Sequence, residues 1–479
     1  MKPEYSHLIR HKKAISASGT LVLYWMQQAQ RVSFNPALDY AIHTAVELRL
    51  PLHVVFVLSH DIPDAQSAHY RFMLEGLAQT GIELKKLKIG FHIVAGDLPE
   101  CVEKVAKDTK VLILDHGYLA WQRAYRDILF SSPALLHCDL VEVDTEAVVP
   151  VHLASSKEEY NAATLRRKLL PQLGSWLSWH PEDPGALIPA GIECAPQGKY
   201  SGRLEHRAEL LIWARKVLSL SAETGPAYLI KSSHSEALAT LDSFIRDKLK
   251  DYSTLRNHPN LDVQSHMSPY LHFGQISPLQ IIHQICETCD VDMASIPELI
   301  NGKAGLDGMA QSIGAFAEEL IVRRELAMNF CHYNPDYKNS SALPDWAIRT
   351  LNDHLADARE GDYSLERLEL AESSDIYWNA AQRELLMTGK MHNYMRMYWG
   401  KRVLAWCPSV EEAYQILAYL NNKYELDGRD PNAWAGIAWC FGKHDRPWAP
   451  RPIYGMVRYM NSAGLQRKFD MKAYIQKWN

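Results

Sequence analysis

Tryptophan is concentrated toward the end of the chain, where seven of the 13 indoles lie from residue 378 onward. Trp378, Trp399 and Trp406 lie in segments with helical patterning, and the last two are two helical turns apart. Trp399 and Trp406 therefore share a helix face and lie about 10.5 Å apart along the helix axis. Indoles in such a row can pass electrons between them, but an aromatic stripe at helical spacing is more often part of a core. The spacing alone leaves both interpretations open.

A polar loop at residues 421–432 follows these indoles. Its polar and turn-forming members are Asn421, Asp427, Gly428, Arg429, Asp430 and Asn432. These residue types favour a turn, but a turn needs far fewer polar side chains. The surplus makes the loop a candidate for contact with a polar ligand.

Two serines mark a second polar segment. Ser265 and Ser268 lie on either side of a predicted helix start, where free backbone N–H groups and hydroxyls can hold a phosphate. A serine N-cap followed by Pro269 at the first helical position is the alternative, and it needs no ligand.

Glu319 is the candidate carboxylate. On an ideal helical wheel it lies near Arg323, beside the apolar side formed by Ala315 and Val322. A carboxylate on a partly apolar face can act as a hydrogen-bonding group in a cavity. The alternative is a solvated charged face with pairs four residues apart.

The composition of the whole chain limits the number of domains, the partners and the compartment that can be expected. A chain of 479 residues is too long for one core, so two or three domains are expected. The net charge of -5 gives no support for nucleic-acid binding by the whole surface. Eight scattered cysteines indicate a reducing compartment. There is neither a signal peptide nor an apolar run of roughly 18 residues, so we expect a soluble intracellular protein, cytoplasmic or, in a eukaryote, nuclear.

One cysteine pair has the spacing of a metal or redox motif. Cys286 and Cys289 form C-x-x-C, but no second pair lies at zinc spacing. We interpret the pair as a coincidence on a helix face and predict no metal.

Short apolar runs alternate with helical patterns over residues 20–150. The runs predicted as strands are 20–26, 52–58, 89–96, 111–115 and 140–144. This alternation predicts a doubly wound parallel sheet. No G-x-G-x-x-G follows the first strand, so an ordinary dinucleotide fingerprint is absent. Ligands of such sheets still bind at the carboxyl ends of the strands.

The second half of the chain has only helical patterns. We predict an α/β domain at 18–175, a connector rich in Pro and Gly at 176–205, and an all-α domain at 206–479. The helices predicted in the all-α domain are 235–248, 278–288, 312–333, 380–406 and 409–421.

Several long motifs occur in order along the chain. They are S-H-M-S-P-Y-L-H-F-G-Q-I-S-P (265–278), E-E-L-I-V-R-R-E-L-A-M-N-F (318–330), W-N-A-A-Q-R-E-L-L-M-T-G-K-M-H-N-Y-M-R-M-Y-W (378–399), Y-E-L-D-G-R-D-P-N (424–432) and R-Y-M-N-S-A-G-L-Q-R-K-F-D (458–470). Together they resemble the class II cyclobutane pyrimidine dimer photolyases of the photolyase/cryptochrome family, from about residue 20 to residue 475. The resemblance implies a Rossmann-like antenna domain followed by an all-α domain that binds FAD.

The resemblance also implies an activity, in which reduced FAD excited by light repairs a pyrimidine dimer flipped out of DNA. It assigns FAD binding to residues that would hold the phosphates or contact the flavin: Tyr252, Gln264, Ser265, His266, Met267, Ser268, Asn421, Asp427 and Gly428. Asn421 would face flavin N5 and stabilise the reduced states. Gly428 would permit close approach.

The remaining implied roles concern electrons and the lesion. Trp378, Trp399 and Trp406 match the family's electron-transfer tryptophans, which reduce the flavin in light. Glu319 would hydrogen-bond the carbonyl region of the dimer. The apolar walls of the lesion pocket would be Met397 and Trp439.

A basic segment completes the expected DNA site. Residues 427–479 hold nine Lys or Arg against four acids, interleaved with Trp448, Tyr454 and Tyr459. Such a mixture suits phosphate contact and stacking. We expect Arg446, Trp448 and Arg458 to bind UV-damaged DNA; a solvated basic surface is the alternative for each. We also expect a monomer, without membrane association.

Three positions depart from the family pattern: Met328, His266 and residues 27–31. Residues 27–31 lie in the antenna domain. A second chromophore of deazaflavin type is therefore one expectation, and the absence of a second chromophore is the other. A cryptochrome-like photosensor is the alternative function. Such sensors often carry a C-terminal extension, whereas this chain ends at Asn479. A dark flavin oxidoreductase is disfavoured because no nicotinamide-binding fingerprint is present.

Overall fold

The structure is a computed structural model. It describes residues 7–15, 18–60, 62–183, 185, 207–218, 230–302, 308–361 and 363–479. Most of the predicted connector at 176–205 lies outside the described residues. The fold class is as predicted, with an α/β domain built on a parallel sheet followed by a helical domain.

Within the described residues the strands form one six-stranded sheet, in the order β1-β6-β5-β2-β3-β4. The strands are β1 Leu8–Lys12, β2 Leu21–Trp25, β3 Leu52–Leu58, β4 Gly90–Ala95, β5 Thr109–Asp115 and β6 Asp139–Val143. The five predicted strands are present and mutually parallel. β1 is an additional strand that pairs antiparallel with β6 at the edge of the sheet.

Helices cover both faces of the sheet, and buried apolar clusters lie on each face. The helices of this part are α1 Pro36–Leu48, α2 Ser67–Lys86, α3 Glu100–Val105, α4 Ala120–Ser131, α5 Val151–Ala154 and α6 Ala162–Leu177. Asn35 caps α1 by accepting hydrogen bonds from the N–H groups of Ala37 and Leu38. Because β2 and β3 are buried on both faces, their apolar runs are continuous rather than alternating.

The carboxyl end of β5 organises the loop that follows β2. Asp115 Oδ2 accepts the backbone N–H groups of Gln27, Gln28 and Ala29 at 2.8, 2.7 and 3.1 Å. Arg31 is buried and donates to the carbonyl oxygens of Gly274 and Thr145. The loop at 27–31 is therefore fixed both to the sheet and to the helical domain.

The second half is helical in its described part. Its helices are α7 Arg207–Val217, α8 His234–Asp247, α9 Tyr252–Leu255, α10 Ser268–His272, α11 Pro278–Cys289, α12 Ile296–Asn301, α13 Gly308–Ala317, a π-helix Glu318–Arg323, α14 Arg324–Tyr333, α15 Asp345–Asp353, α16 Leu365–Glu369, α17 Ile376–Thr388, α18 Asn393–Trp406, α19 Val410–Tyr424, α20 Pro431–Cys440, α21 Ser462–Lys468 and α22 Met471–Lys477. Of the helices described, none has the length and apolarity needed to cross a bilayer.

The prediction of a single helix at 380–406 is wrong. Gly389, with φ of 69°, ends α17 in the left-handed conformation, and α18 begins at Asn393 after a short turn. The N–H of Leu426 donates to the carbonyl oxygen of Gly389 at 2.7 Å. The break thus brings residues 389–392 against the polar loop.

Two consecutive charged residues of α14 join the helical domain to the end of the sheet. Arg324 Nη1 donates to the carbonyl oxygen of Glu146 at 2.7 Å. Glu325 Oε1 accepts the N–H groups of Val148 and Val149 at 2.7 and 3.2 Å. Met328, one turn further, packs with Tyr118, Ala147 and Val151. The residue that departs from the family pattern therefore lies in an apolar contact between the domains.

Glu325 makes folding stability depend on pH. Burial raises the pKa of Glu325 to about 8, although the two N–H groups oppose this shift. The folded state therefore binds the proton more tightly than the unfolded chain does. The resulting stabilisation is complete below the ordinary glutamate pKa and is lost as the pH rises through the folded value.

We predict that Glu325→Gln removes this dependence, because glutamine keeps an acceptor for both N–H groups but cannot ionise. Relative to this variant, the wild-type free energy of unfolding should fall by about 1–3 kcal/mol between roughly pH 5 and pH 9. Chemical denaturation at several pH values measures it. The exposed Glu366→Gln is the matched control, and an equal pH dependence in both variants would contradict the role of Glu325.

Candidate functional site

Three buried indoles form a continuous array in the core of the helical domain. The ring centroids of Trp378 and Trp399 are 6.1 Å apart and nearly parallel, with an interplanar angle of 8°. Trp406 meets Trp378 edge-on at 5.4 Å. Trp378 is therefore the middle member, although it is the first of the three in the sequence.

Hydrogen bonds fix the orientation of two of these rings. Trp378 Nε1 donates to the carbonyl oxygen of Trp399 at 3.0 Å. Trp399 Nε1 donates to Oε1 of the buried Gln382 at 2.9 Å. At the other end of the array, Tyr363 lies 4.9 Å from Trp406. The structure thus brings together the three indoles that the sequence placed on two separate segments.

A buried ionic cluster lies one helical turn from this array. Arg396, three residues before Trp399 on α18, pairs with Glu425 at 2.8 Å and lies 3.9 Å from Asp427. Lys390 adds a second cation to the same group. Burial raises the pKa of Glu425 to about 8. For Asp427 the effect of burial is outweighed by Arg396, Lys390 and Ser268, so its pKa lies below the ordinary value.

The predicted phosphate segment meets this cluster. His266 Nδ1 lies 3.3 Å from Lys390 Nζ, and Gln264 Nε2 lies 3.3 Å from His392 Nε2. Ser268 lies near enough to Asp427 to help lower the pKa of that carboxyl. Residues 264–268, 389–392 and 425–428 therefore converge.

The backbone of the phosphate segment is held locally. His266 has φ of 57°, and its Nε2 lies 2.6 Å from Asp262 Oδ1. Ser265 Oγ accepts the N–H of Met267 at 3.4 Å, and the Met267 side chain is buried. Histidine tolerates the left-handed conformation better than bulkier residues do. The departure at position 266 is thus accommodated by a specific hydrogen bond.

The sequence patterns did not predict several members of this group as site residues: Lys390, His392, Arg396 and Glu425. Lys390, His392 and Arg396 lie in the motif at 378–399 and Glu425 lies in the motif at 424–432, but no local pattern shows that these side chains meet. In the described part of the chain, the buried Arg396 Nε and Glu425 Oε2 have no hydrogen-bond partner. Unpaired buried polar atoms are costly, so this cluster is suited to a ligand that offers both hydrogen-bond donors and acceptors.

The polar loop itself is closely packed. Asn421 is 2% exposed, and its carbonyl oxygen accepts the N–H of Glu425 at 2.9 Å. A Cβ at Gly428 would lie 2.8 Å from the Asn421 carbonyl oxygen and 2.9 Å from that of Glu425. The chain's own backbone therefore requires a glycine here. This requirement is separate from the close approach of a ligand that the resemblance implies.

Tyr252 is buried among aromatic rings. Its ring contacts Phe244 and Phe316 edge-on, at 5.7 and 5.4 Å. Burial, together with the charge of Glu319, raises the pKa of Tyr252 above its ordinary value. The Arg256 guanidinium lies 5.4 Å from the ring and 3.6 Å from Glu319 Oε1. Tyr252, Arg256 and Glu319 therefore form one group.

The helical-wheel placement of Glu319 beside Arg323 is wrong. Residues Glu318–Arg323 form a π-helix, in which residues five apart become neighbours. Glu318 consequently pairs with Arg323 at 3.3 Å and with Arg166 at 2.5 Å. Glu319 pairs instead with Arg256, and its side chain is 41% exposed. A half-exposed carboxylate beside a cation can contact a ligand that enters from solvent.

Trp439 begins a ladder of alternating rings and cations, which we call the aromatic–cation ladder. Arg458 lies between Trp439 and Trp448, with its guanidinium carbon 5.5 and 4.2 Å from the ring centroids. Arg446 lies 5.2 Å from Trp448. Trp448 thus contacts both of the other predicted DNA-binding residues, and Arg458 links it to Trp439, a predicted wall of the lesion pocket. The other wall, Met397, is partly buried against the same core as Trp439.

The charge count of the basic segment needs correction. Arg429 and Lys443 are each 8% exposed, and Lys443 pairs with Glu158. They therefore present little charge to DNA, and seven basic residues of the nine remain. Tyr454 is 2% exposed, and its hydroxyl donates to the carbonyl oxygen of Lys401. It cannot stack on a base, whereas Trp448 and Tyr459 are 38% and 40% exposed.

A cavity lies between the carboxyl edge of the sheet and the start of α20. It is lined by Gln27, Gln28, Gln30, Phe56, Ser59, Ile62, Leu98, Trp121, Gln122, His272, Phe273 and Asp430, among other residues. The amide oxygens of Gln27 and Gln30 are buried there without a partner among the described residues. The loop that departs from the family pattern is therefore a wall of this cavity.

Comparison with known proteins is consistent with this architecture. Residues 22–171 match the DNA photolyase family. The chain is 42% identical over 459 residues to a deoxyribodipyrimidine photo-lyase from Methanothermobacter thermautotrophicus, covering 96% of this chain and 94% of that one.

Two solved structures share the fold. A class III photolyase from Agrobacterium tumefaciens has a TM-score of 0.70 at 19% identity, covering 97% of this chain and 87% of that one. A Synechocystis cryptochrome has a TM-score of 0.72 at 16% identity, covering 97% and 89%. The fold, the converging motifs and the extended identity lead to one conclusion: the chain belongs to the DNA photolyase family.

Proposed function

We propose that this protein is a class II deoxyribodipyrimidine photo-lyase, which uses light to repair cyclobutane pyrimidine dimers in DNA. The observation that carries the proposal is the array Trp399–Trp378–Trp406, which begins one helical turn from the Arg396 cluster. The photo-lyase relative, similar over nearly its whole length, supports the activity. The motifs at 265–278, 318–330 and 424–432 support class II.

FAD fits the ionic cluster. Tyr252 and residues 264–268 would hold its phosphates, with Lys390 as a nearby cation. Asn421 would face flavin N5, and Asp427 would contact the cofactor beside Gly428. The unpaired atoms of Arg396 and Glu425 would gain partners on binding. When bound and reduced, FAD supplies upon light excitation the electron that opens the ring of the dimer, and it recovers that electron afterwards.

The residues of the chain have three tasks in this proposal. The Trp array carries electrons from its Trp406 end toward the ionic cluster and keeps the cofactor reduced. Trp439 and Met397 form the apolar walls around a flipped dimer, which must leave the base stack to be reached. Glu319 would bind the carbonyl region of the dimer, with Arg256 beside it.

The activity can be tested with a duplex that contains one thymine dimer. We predict that purified protein contains FAD, released on denaturation, and restores the two thymines only under blue light. Product is measured by chromatography, with a duplex containing a 6-4 photoproduct as the control lesion. Light-induced flavin reduction without repair of either lesion would instead favour a photosensor.

We predict that Trp378→Phe blocks photoreduction, because it removes the middle member of the array. The rate of flavin reduction in light should fall at least about tenfold, since the electron must cross a longer gap. Absorption spectroscopy follows this rate. Chemically reduced variant should still repair the dimer.

Trp434→Phe is the matched control. Trp434 packs against Tyr337 in the same core, outside the array. Normal photoreduction in Trp378→Phe, or equal loss in both variants, would show that electrons take another route.

We further propose that the cavity beside the sheet holds a second chromophore of deazaflavin type. Its position at the carboxyl ends of parallel strands is the usual ligand position in such sheets. Trp121 and Phe56 offer apolar contacts for a flat ring, and the unpaired oxygens of Gln27 and Gln30 offer acceptors.

We predict that Gln30→Leu weakens deazaflavin binding about tenfold, because it removes an acceptor and leaves a polar group of the ligand unpaired. Titration with a deazaflavin, followed by fluorescence quenching, measures the affinity. The exposed Gln415→Leu is the control. Equal affinity in the two variants would place the chromophore elsewhere.

A further inference from the structure

The aromatic–cation ladder contains a carboxylate. Asp445 is bound by Arg458 through two contacts, Nε to Oδ2 at 2.8 Å and Nη2 to Oδ1 at 3.3 Å. Its Oδ1 also accepts the N–H of Arg446 at 2.9 Å and lies 3.5 Å from Trp448 Nε1. One side chain therefore contacts all three predicted DNA-binding residues.

Asp445 is itself held in place. Its side chain is 9% exposed, against 38% for Arg458. The Tyr160 hydroxyl donates to its backbone carbonyl oxygen at 3.0 Å, and the neighbouring His444 Nδ1 lies 2.9 Å from the Tyr160 carbonyl oxygen. Burial raises the pKa of Asp445, but the hydrogen bonds from Arg458, the Arg446 N–H and Trp448, together with the charge of Arg458, outweigh this and keep the pKa below the ordinary value. Asp445 is thus a fixed, ionised group.

By charge alone, Asp445 opposes DNA binding. A carboxylate on a surface that meets phosphates weakens attraction and cancels part of the charge of Arg458. Through its effect on side-chain geometry, however, Asp445 favours DNA binding. The two-point contact confines a flexible guanidinium to the space between Trp439 and Trp448, so the ordering of that side chain is already complete before DNA arrives.

We propose that Asp445 is a positioning residue for lesion recognition. It fixes Arg458, and through Arg458 it sets the spacing of Trp439, the wall for the flipped dimer, and Trp448, which faces the gap left in the duplex. This inference rests on the proposed function. It predicts that a negative charge on the DNA-binding face favours damaged DNA over intact DNA.

The test uses the FAD-containing protein and the variant Asp445→Asn, in the dark so that no repair occurs. Fluorescence anisotropy measures the Kd for a duplex with one thymine dimer and for the same duplex undamaged, at several salt concentrations. Asn is isosteric and keeps an acceptor for Arg446. The control Asp470→Asn removes one charge from the same C-terminal segment, where Asn still caps α22.

We expect Asp445→Asn to bind the dimer duplex about fivefold more weakly, because Arg458 is released. Undamaged duplex should bind equally or up to about threefold more tightly, because a repulsive charge is gone. Asp470→Asn should change both affinities in the same direction. In a double-mutant cycle, Arg458→Ala should lose the same preference, and adding Asp445→Asn should cause no further loss.

Several outcomes would overturn the role of Asp445. A parallel loss of both affinities would indicate a general structural defect, and a parallel gain would indicate an effect of charge alone. If wild-type protein distinguishes the two duplexes and Asp445→Asn distinguishes them equally well, this inference fails and the proposed function stands. If wild-type protein neither prefers nor repairs the dimer, both fail.

Discussion

The guanidinium of Arg396 connects the parts of the candidate site. It extends from the helix that carries Trp399 and Trp406, and it binds Glu425 and faces Asp427 across the polar loop. The carbonyl oxygen of the same Glu425 lies 3.0 Å from Nε2 of His69, on α2 of the sheet domain. Buried charges are costly unless paired, so removing any one member leaves the others uncompensated. The Trp array, the polar loop and residues 264–268 consequently have one mutual arrangement.

Helix geometry decides which charges can meet elsewhere in the site. In an α-helix, Glu319 would share its face with Arg323, and both would form an ordinary surface pair. The π-helix at Glu318–Arg323 moves that pairing to Glu318 and leaves Glu319 beside Arg256. One inserted residue therefore separates a structural carboxylate from one that is available to a ligand. This agrees with the frequent occurrence of π-turns at functional sites.

The sequence predicts the sheet well because its strands are buried on both faces and form continuous apolar runs. It misses β1 because Leu8–Lys12 is a polar edge strand, and it misses the break at Gly389 because helical patterns continue on both sides. The site segments are recognisable only as long motifs. The convergence of Lys390, Arg396 and Glu425 cannot be recognised from the sequence, because no local pattern shows which charges become buried together. For the same reason, counting charges assigned Arg429 and Lys443 to the wrong surface.

Tryptophan side chains lie in two kinds of surroundings in this protein, distinguished by whether their neighbours are rings or cations. In the contacts of the described residues, Trp378 and Trp399 have ring neighbours, whereas Trp439 and Trp448 face the cations Lys401, Arg458 and Arg446. A cation over an indole face stabilises the neutral ring and opposes the loss of an electron from it. Trp406, at the outer end of the array, has such a neighbour in Arg402. Among the described contacts, a cation therefore opposes electron loss from the ladder and also from Trp406, whereas Trp378 and Trp399 have no cation over the ring.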